Sequence, residues 1–265
     1  MGLLMQRTIS TWTEFNESWD GVTNFLMGGE CAVCFDFELP PFDELLDTVR
    51  QDSDIHAHPG SKADVRHSSE INDEFRAMPL EQAVNHEFSL AHYNIHKWDA
   101  PGQMLDGFDG RVVQPLQQAL RAQGFEWIWF RYYFFFAGPN CATNYHMDKS
   151  HVIAWQQYGA KTFNGLKDPD RWEPLDKRML VGTDAVRKSA QIVKEDVLAY
   201  EMNPGDVLWN TLLTPHWVEA SDEPAVSLNF SLRGLRRGGK LCRHEQELVD
   251  WQQSPQSTAG ADGSY

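Results

Sequence analysis

Residues 143–148, Thr-Asn-Tyr-His-Met-Asp, contain the side chains best suited to chemistry. In an extended strand, residues i and i+2 point to the same side, so His146 and Asp148 can face one ion together. An imidazole nitrogen and a carboxylate oxygen are two of the three ligands in the facial triad of non-haem Fe(II) oxygenases. A His-x-Asp pair arises easily by chance, so a metal site also requires a third ligand elsewhere in the chain.

The downstream sequence offers His216 as this third ligand. It follows the segment Pro-Gly-Asp-Val-Leu at 204–208, in which Pro-Gly-Asp is typical of a tight turn between two strands. A strand and its return after this turn can bring His216 across a barrel to the pair at 146 and 148. Taken singly, His216 can equally be a buried core residue.

Three further polar residues have positions in the sequence that could place them near these three residues. Thr143 precedes His146 by three residues, and Lys161 follows it by 15 residues. Asn229 lies on the last predicted strand, in the segment Asn-Phe-x-x-Arg-Gly. In order and spacing, the chain resembles the JmjC-type, cupin-like Fe(II)/2-oxoglutarate oxygenases, and the resemblance covers residues 125–235.

The resemblance implies a fold, a reaction and a set of site residues. The fold is a double-stranded β-helix, and the cofactors are Fe(II), 2-oxoglutarate as co-substrate, and O2. The implied metal ligands are His146, Asp148 and His216. The implied co-substrate residues are Lys161 and Thr143 on the C5 carboxylate, Asn229 lining the cofactor site, and Tyr93 as the candidate for a tyrosine from the N-terminal layer.

One feature departs from the family pattern, and one further residue is an alternative anchor. Members akin to asparaginyl hydroxylases have an Asn six residues after the first His, whereas this chain has Val152. The residues that contact the substrate or a cofactor on that side of the site are therefore not assigned.

Arg233 is an alternative carboxylate anchor, because other 2-oxoglutarate oxygenases use an Arg on a late strand. It follows His216 by 17 residues, which is longer than that role requires, and it ranks behind Lys161.

Composition limits the other classes of function. A hydrophobic content of 42% with 10 Trp and 15 Phe favours a well-filled core over disorder. The net charge of −15 opposes binding to a phosphate backbone, so nucleic acid is not an expected partner. The sequence contains no apolar run long enough to span a membrane, and residues 1–10 lack the apolar centre of a signal peptide. We therefore expect a soluble, cytoplasmic protein without a membrane partner.

Several other His, Cys and Trp residues are interpreted as structural. Cys31-x-x-Cys34 has redox or zinc spacing, but no second Cys pair follows it, and a disulfide framework is not expected. The histidines of the polar segment 51–74 are expected in a solvated surface loop. The residues concerned are His56, His58 and His67 in that segment, His92, His96 and His151 elsewhere, and Trp155, Trp209 and Trp217 as core residues.

The order of predicted elements gives the fold class, which is mainly β with flanking helices (α+β). A double-stranded β-helix of the jelly-roll or cupin type occupies 125–235, after an N-terminal α/β layer at 1–124 and before a short helix and disordered tail at 236–265. The predicted helices are 12–27, 42–50, 111–122 and 243–251. The predicted strands are 31–37, 86–98, 125–137, 143–148, 151–157, 160–166, 197–202, 206–211, 215–220 and 225–233, with a polar excursion at 167–192.

The expected function is hydroxylation of an unactivated C–H bond of a small molecule or a peptide side chain, with release of succinate and CO2. One alternative is a metal cupin dioxygenase that does not use 2-oxoglutarate, which Lys161 argues against. A second alternative is a cupin that binds a ligand without catalysis, which the complete set of three ligands argues against.

Overall fold

Hydrogen-bonded strands form three sheets in the computed structural model, which describes residues 6–59, 68–174, 178–179 and 189–253. The strands are β1 (Thr8–Ile9), β2 (Phe25–Met27), β3 (Ile55–Pro59), β4 (Phe88–His92), β5 (Phe125–Glu126), β6 (Trp129–Ala137), β7 (His146–Met147), β8 (His151–Tyr158), β9 (Lys161–Leu166), β10 (Val197–Met202), β11 (Val207–Asn210), β12 (Pro215–Ala220), β13 (Ala225–Arg233), β14 (Arg236–Arg237) and β15 (Lys240–Leu241). The major sheet has the order β1-β2-β11-β8-β13-β6-β4-β3, the minor sheet β10-β9-β12-β7, and a small sheet β15-β14-β5.

From β6 to β13 the chain passes back and forth between the two larger sheets, except that the consecutive strands β9 and β10 pair within the minor sheet. Strands β6, β8, β11 and β13 lie in the major sheet, whereas β7, β9, β10 and β12 lie in the minor sheet. All the pairings among these strands are antiparallel. Two facing antiparallel sheets that share their strands in this way form a double-stranded β-helix, and the predicted fold class is confirmed.

Strand β13 shows how the sequence separates the core from the interior of the barrel. It lies between β6 and β8 and is buried along nearly its whole length. Its large apolar residues, such as Leu228 and Phe230, join the main hydrophobic core. Its alternate residues Ser227 and Asn229 line a cavity on the opposite face. The period of two along the strand therefore directs apolar groups to one face and polar groups to the other.

The N-terminal residues form helices that contribute to this main core. The helices of this part are α1 (Trp12–Ser18), α2 (Gly29–Ala32), α3 (Phe42–Arg50), α4 (Ser68–Ala77), α5 (Leu80–Val84) and α6 (Gln114–Ala122, preceded by a wider turn at Asp109–Val113). Later in the chain come α7 (Pro169–Trp172), after β9, and α8 (Arg243–Gln252), after β15. The predicted helices at 42–50, 111–122 and 243–251 are confirmed within a residue or two. None of the described helices is long and apolar enough to cross a membrane.

The first predicted helix and the first predicted strand are wrong in part or whole. Helix α1 has the expected N-cap, since the Thr11 side chain accepts a hydrogen bond from Glu14 N, but it ends at Ser18. The chain then turns through Gly21, whose φ of +70° is not helical, and residues 25–27 form strand β2. At 31–37 the structure has a short helix followed by irregular chain. The apolar pattern there reflects packing, because the Phe35 ring contacts Trp155 and Phe230.

The predicted loop at 51–74 is also wrong. It contains strand β3, which pairs with β4 at the edge of the major sheet, and the start of α4. Ile55 and Ala57 of β3 are buried, as are Ile71 and Phe75 of α4. Two buried apolar residues in each element are too few to give a recognisable strand or helix pattern in a segment that is otherwise polar. The predicted strand at 86–98 forms only β4, and a single helical turn at Ile95–Trp98 follows. His67 lies outside the described residues.

Candidate metal and co-substrate site

The two histidines of the predicted triad are direct neighbours across a strand pair. Strands β7 and β12 are antiparallel, and His216 is the register partner of His146. Their ring centroids are 4.2 Å apart. Asp148 completes the group, with 3.8 Å from its Oδ1 to His146 Nε2 and 3.6 Å from its Oδ2 to His216 Nε2. One ligand atom from each residue lies within 4.8 Å of the others, a spacing that suits a single ion between them.

Hydrogen bonds to the backbone orient both imidazoles towards this point. His146 Nδ1 lies 2.6 Å from Asn144 O, and His216 Nδ1 lies 2.9 Å from Thr214 O. Because a carbonyl oxygen only accepts, each Nδ1 carries the proton and each Nε2 presents a lone pair. Burial, and next the neighbouring His146, lower the pKa of His216 to about 4, so its ring is neutral at pH 7. Neutral imidazoles with a fixed tautomer are the form that binds metals.

A cavity of about 250 Å³ lies between the major and minor sheets and contains this group. Its wall includes all seven residues predicted from the sequence. They are His146, Asp148, His216, Thr143, Lys161, Asn229 and Tyr93. A larger surface cleft of about 440 Å³ lies between Arg121 and Trp127, but among the described residues its wall holds a single carboxylate, Glu126, and no group of three metal ligands. The cavity between the sheets is therefore the candidate site.

Lys161 is a buried cation in the wall of this cavity. Its Nζ lies 3.3 Å from Phe135 O and 3.5 Å from Ser227 Oγ, and no carboxylate pairs with it in the described part of the chain. Burial lowers the pKa of Lys161 to about 7, because the charged form loses its hydration. An anion that enters the cavity would pair with the Lys161 ammonium and offset the free-energy cost of burying its charge.

Thr143 offers a hydroxyl proton to the same space. Its Oγ1 accepts a hydrogen bond of 2.8 Å from Val218 N, and its own N–H donates to Val218 O at 2.8 Å. These two bonds fix Thr143 against strand β12. Since the Val218 bond uses only acceptor capacity, the hydroxyl remains able to donate to a carboxylate.

Asn229 and Tyr93 occupy other parts of the wall. Asn229 is buried on β13, and its Oδ1 has no hydrogen-bond partner among the residues that the structure describes. Tyr93 follows β4 directly and is 41% exposed, so the cavity opens beside it. Its ring packs on Tyr133, with centroids 5.0 Å apart. Arg233 does not line the cavity. It is exposed at the end of β13, four residues beyond Asn229 and therefore roughly 13 Å along the strand.

The sequence analysis did not name several polar residues of the cavity wall, among them Asn210 and Tyr133. Asn210 donates from Nδ2 to Asp148 Oδ2 at 2.9 Å. Tyr133 lies in the aromatic run of β6, and burial raises its pKa well above the usual range. Strand alternation offers a signal for both, because Asn210 and Tyr133 share a face with other cavity residues on their strands. That signal can be used only once the strand bounds and the inward face are known.

A second cluster of possible metal ligands lies outside the cavity. Asp52, Asp54 and His92 lie close together, and His92 Nε2 is 3.0 Å from Asp52 Oδ1. The Lys97 ammonium contacts Asp52 and lies 3.3 Å from Asp54 Oδ2. The lysine therefore supplies the positive charge that these carboxylates require.

The remaining residues interpreted as structural lie away from the cavity wall. His151 is fully buried, and its Nδ1 accepts a hydrogen bond from Leu212 N at 3.3 Å. Trp155 and Trp209 belong to the main core. The four cysteines are free thiols, with Cys31 buried and Cys34 partly exposed. Burial raises the pKa of Cys31 to about 12, so this thiol is protonated at neutral pH.

Comparisons with known proteins show which fold this is. No protein-family model matches the chain, and no curated protein sequence matches it. The solved structure of YcfD, a ribosomal oxygenase from Escherichia coli, superposes with a TM-score of 0.50 and 15% identity over 98% of this chain and 60% of that one. A structure of the same protein with cobalt and succinic acid gives 0.51 and 14% over 98% and 60%. This chain therefore shares the fold of that oxygenase and spans about 60% of its length.

Proposed function

We propose that this chain is an Fe(II)- and 2-oxoglutarate-dependent oxygenase that hydroxylates an unactivated C–H bond of a small molecule or a peptide side chain. The observation that carries the proposal is the position of Lys161, a buried cation with no carboxylate partner among the described residues, in the same cavity as two histidines and an aspartate. A buried charge is unfavourable unless it is paired. A dicarboxylate that also chelates a metal satisfies both parts of this cavity.

The donor set fits Fe(II). Two neutral imidazole nitrogens and one carboxylate oxygen are the facial triad of non-haem Fe(II) oxygenases, and they leave the other side of the ion open. His146, Asp148 and His216 would hold the metal. With 2-oxoglutarate and O2, the bound iron supplies the oxidant that removes a hydrogen atom from the substrate, and succinate and CO2 are released.

The protein side chains bind and orient the co-substrate. The Lys161 ammonium and the Thr143 hydroxyl donate hydrogen bonds to its distal carboxylate, and such charge-assisted bonds are stronger than neutral ones. Asn229 lines the wall between the two sheets. Phe163 packs against the His216 ring and excludes water from the buried side of that ligand.

The substrate enters beside Tyr93, which reaches both the cavity and solvent. A side chain of a peptide or a small metabolite can pass this opening, whereas a folded surface cannot enter a cavity of this volume. The neighbour YcfD is described as a ribosomal oxygenase, and a peptide substrate for this chain is consistent with that description.

The test uses the purified full chain and two measurements. Under anaerobic conditions, Fe(II) with 2-oxoglutarate should give a weak visible charge-transfer band that either component alone does not give. In air, a screen of amino acids, peptides and sugar acids should identify compounds that increase succinate release. Absence of both the band and any succinate release would refute the proposal. Turnover that depends on iron but not on 2-oxoglutarate would instead support the alternative cupin dioxygenase.

A further inference from the structure

We propose that Asn210 is a positioning residue for the metal site, which holds the carboxylate of Asp148 in the orientation that binds the ion. This inference rests on the proposed function, since it concerns a ligand of the proposed Fe(II) centre. Asn210 is the last residue of β11 and is buried, with 1% of its surface exposed. Its Nδ2 lies 2.9 Å from Asp148 Oδ2.

The chemistry of the pair determines which way the amide points. An ionised carboxylate only accepts hydrogen bonds, so the NH2 group of Asn210 must face Asp148. Its Oδ1 then faces away, and this atom is buried with no hydrogen-bond partner in the part of the chain that the structure describes. Leaving a buried acceptor unpaired is unfavourable, and an apolar residue at 210 would avoid that cost. The amide is therefore explained by its donor contact with Asp148.

The strand register shows why this position reaches Asp148. In β11, Val207 and Trp209 belong to the main core, whereas Leu208 and Asn210 line the cavity. Asn210 is the register partner of Val152 on β8, and Val152 lines the same cavity. The Asn210 amide therefore lies on β11, directly opposite the apolar Val152 on β8.

Asp148 itself has few other restraints. It follows the two-residue strand β7, and its side chain is 31% exposed. The Asp148 carbonyl accepts a hydrogen bond of 2.9 Å from Leu213 N, which fixes the backbone but not the carboxylate. Without the Asn210 contact, the carboxylate can rotate about its last bond. A hydrogen bond to a ligating carboxylate restricts this rotation, and loss of such outer contacts weakens metal binding by roughly 10- to 100-fold.

The test is a Co(II) titration of the metal-free full chain without co-substrate, so the readout does not depend on turnover. Asn210→Ala removes the amide. Asn210→Val also removes it and introduces a β-branched side chain that favours the strand. Both variants should bind Co(II) about 10- to 100-fold more weakly than the wild type. The visible bands of bound Co(II) should also change, because a free carboxylate alters the ligand geometry.

Asn164→Ala is the matched control. Asn164 is a buried asparagine whose Nδ2 donates to Glu219 Oε2 at 3.0 Å, in the minor sheet and away from the cavity wall. The Asn164→Ala variant should bind Co(II) with the same affinity as the wild type. Restoring an amide with Val152→Asn in the Asn210→Val background should recover part of the affinity if the amide is what Asp148 requires.

Two outcomes separate this inference from the proposed function. If Asn210→Val is folded and binds Co(II) within about twofold of the wild type with the same spectrum, the positioning role is refuted, since the expected loss is at least tenfold. If the wild type binds Co(II) but never releases succinate from 2-oxoglutarate, the proposed function fails while the Asn210 measurement still decides the positioning role. A wild type that binds no Co(II) would overturn both.

Discussion

Phe163 and His216 lie face to face, with ring centroids 4.8 Å apart and planes inclined by 13°. Phe163 is on β9, which pairs with β12, and Lys161 precedes it by two residues on the same face of the strand. One strand therefore carries both the packing partner of a proposed metal ligand and the proposed co-substrate anchor. The order of these residues along β9 sets how far the anchor lies from the metal ligands.

Removal of any triad residue should abolish metal binding, because two remaining ligands hold the ion poorly. We expect His146→Ala, Asp148→Ala and His216→Ala to lose Co(II) binding and succinate release. Circular dichroism and thermal unfolding serve as fold controls. His216→Ala should be the least stable of the three by roughly 1–3 kcal/mol, since its ring is buried against Phe163. Iron-dependent turnover at the wild-type rate in any two variants would refute the site.

The co-substrate anchor can be tested by comparing two cations. Lys161→Ala should raise the 2-oxoglutarate concentration needed for half-maximal succinate release by about 100-fold or more, because a charge-assisted contact with a buried carboxylate is lost. Co(II) binding should persist. Arg233→Ala should have a much smaller effect, since Arg233 is exposed at the end of β13. A larger effect in Arg233→Ala than in Lys161→Ala would identify Arg233 as the anchor.

The sequence predicted most of the barrel strands because aromatic and β-branched runs mark them, although the predicted strand 143–148 forms only β7. The seven site residues named from the motif and the family resemblance line one cavity, and their roles stay predictions. The prediction failed at 31–37, where Phe35 packs on Trp155 from an irregular segment, and at β3, an edge strand whose identity depends on its pairing with β4. Asn210 could not be assigned, because its contact with Asp148, 62 residues away in the chain, depends on where β11 ends and on which face of β11 points into the cavity.

The two tyrosines of the cavity should differ in their effect on co-substrate binding. Tyr133 is partly buried, and its hydroxyl has Asn229 and Ser231 as hydrogen-bond neighbours. Tyr93 is partly exposed at the opening, where its hydroxyl can turn towards a bound ligand. Tyr93→Phe should therefore raise the apparent KM for 2-oxoglutarate by about tenfold, as expected for one hydrogen bond to a charged group. If Tyr133→Phe has this effect and Tyr93→Phe does not, the assignment of the N-terminal tyrosine is wrong.

Lys161 should also make the stability of the ligand-free protein depend on pH. Burial lowers its pKa from 10.5 to about 7 in the folded chain, whereas the unfolded chain keeps the ordinary value. Below pH 7 both states carry the charge, and the folded state bears the full cost of burying it. Between pH 7 and 10.5 the unfolded state binds more protons, so the contribution of this group to stability rises with pH.

Lys161→Met should remove this dependence. The variant should be more stable than the wild type at pH 6.5, by on the order of a few kcal/mol, and the difference should shrink as the pH rises towards 9.5. Urea unfolding of the metal-free protein across this pH range measures the difference in stability between the wild type and the variant. Lys240→Met, at an exposed lysine, is the control. Succinate with Co(II) should stabilise the wild type more than Lys161→Met, since a bound carboxylate pairs with the ammonium. Parallel stability curves for the wild type and Lys161→Met would show that Lys161 is not the unpaired cation of the cavity.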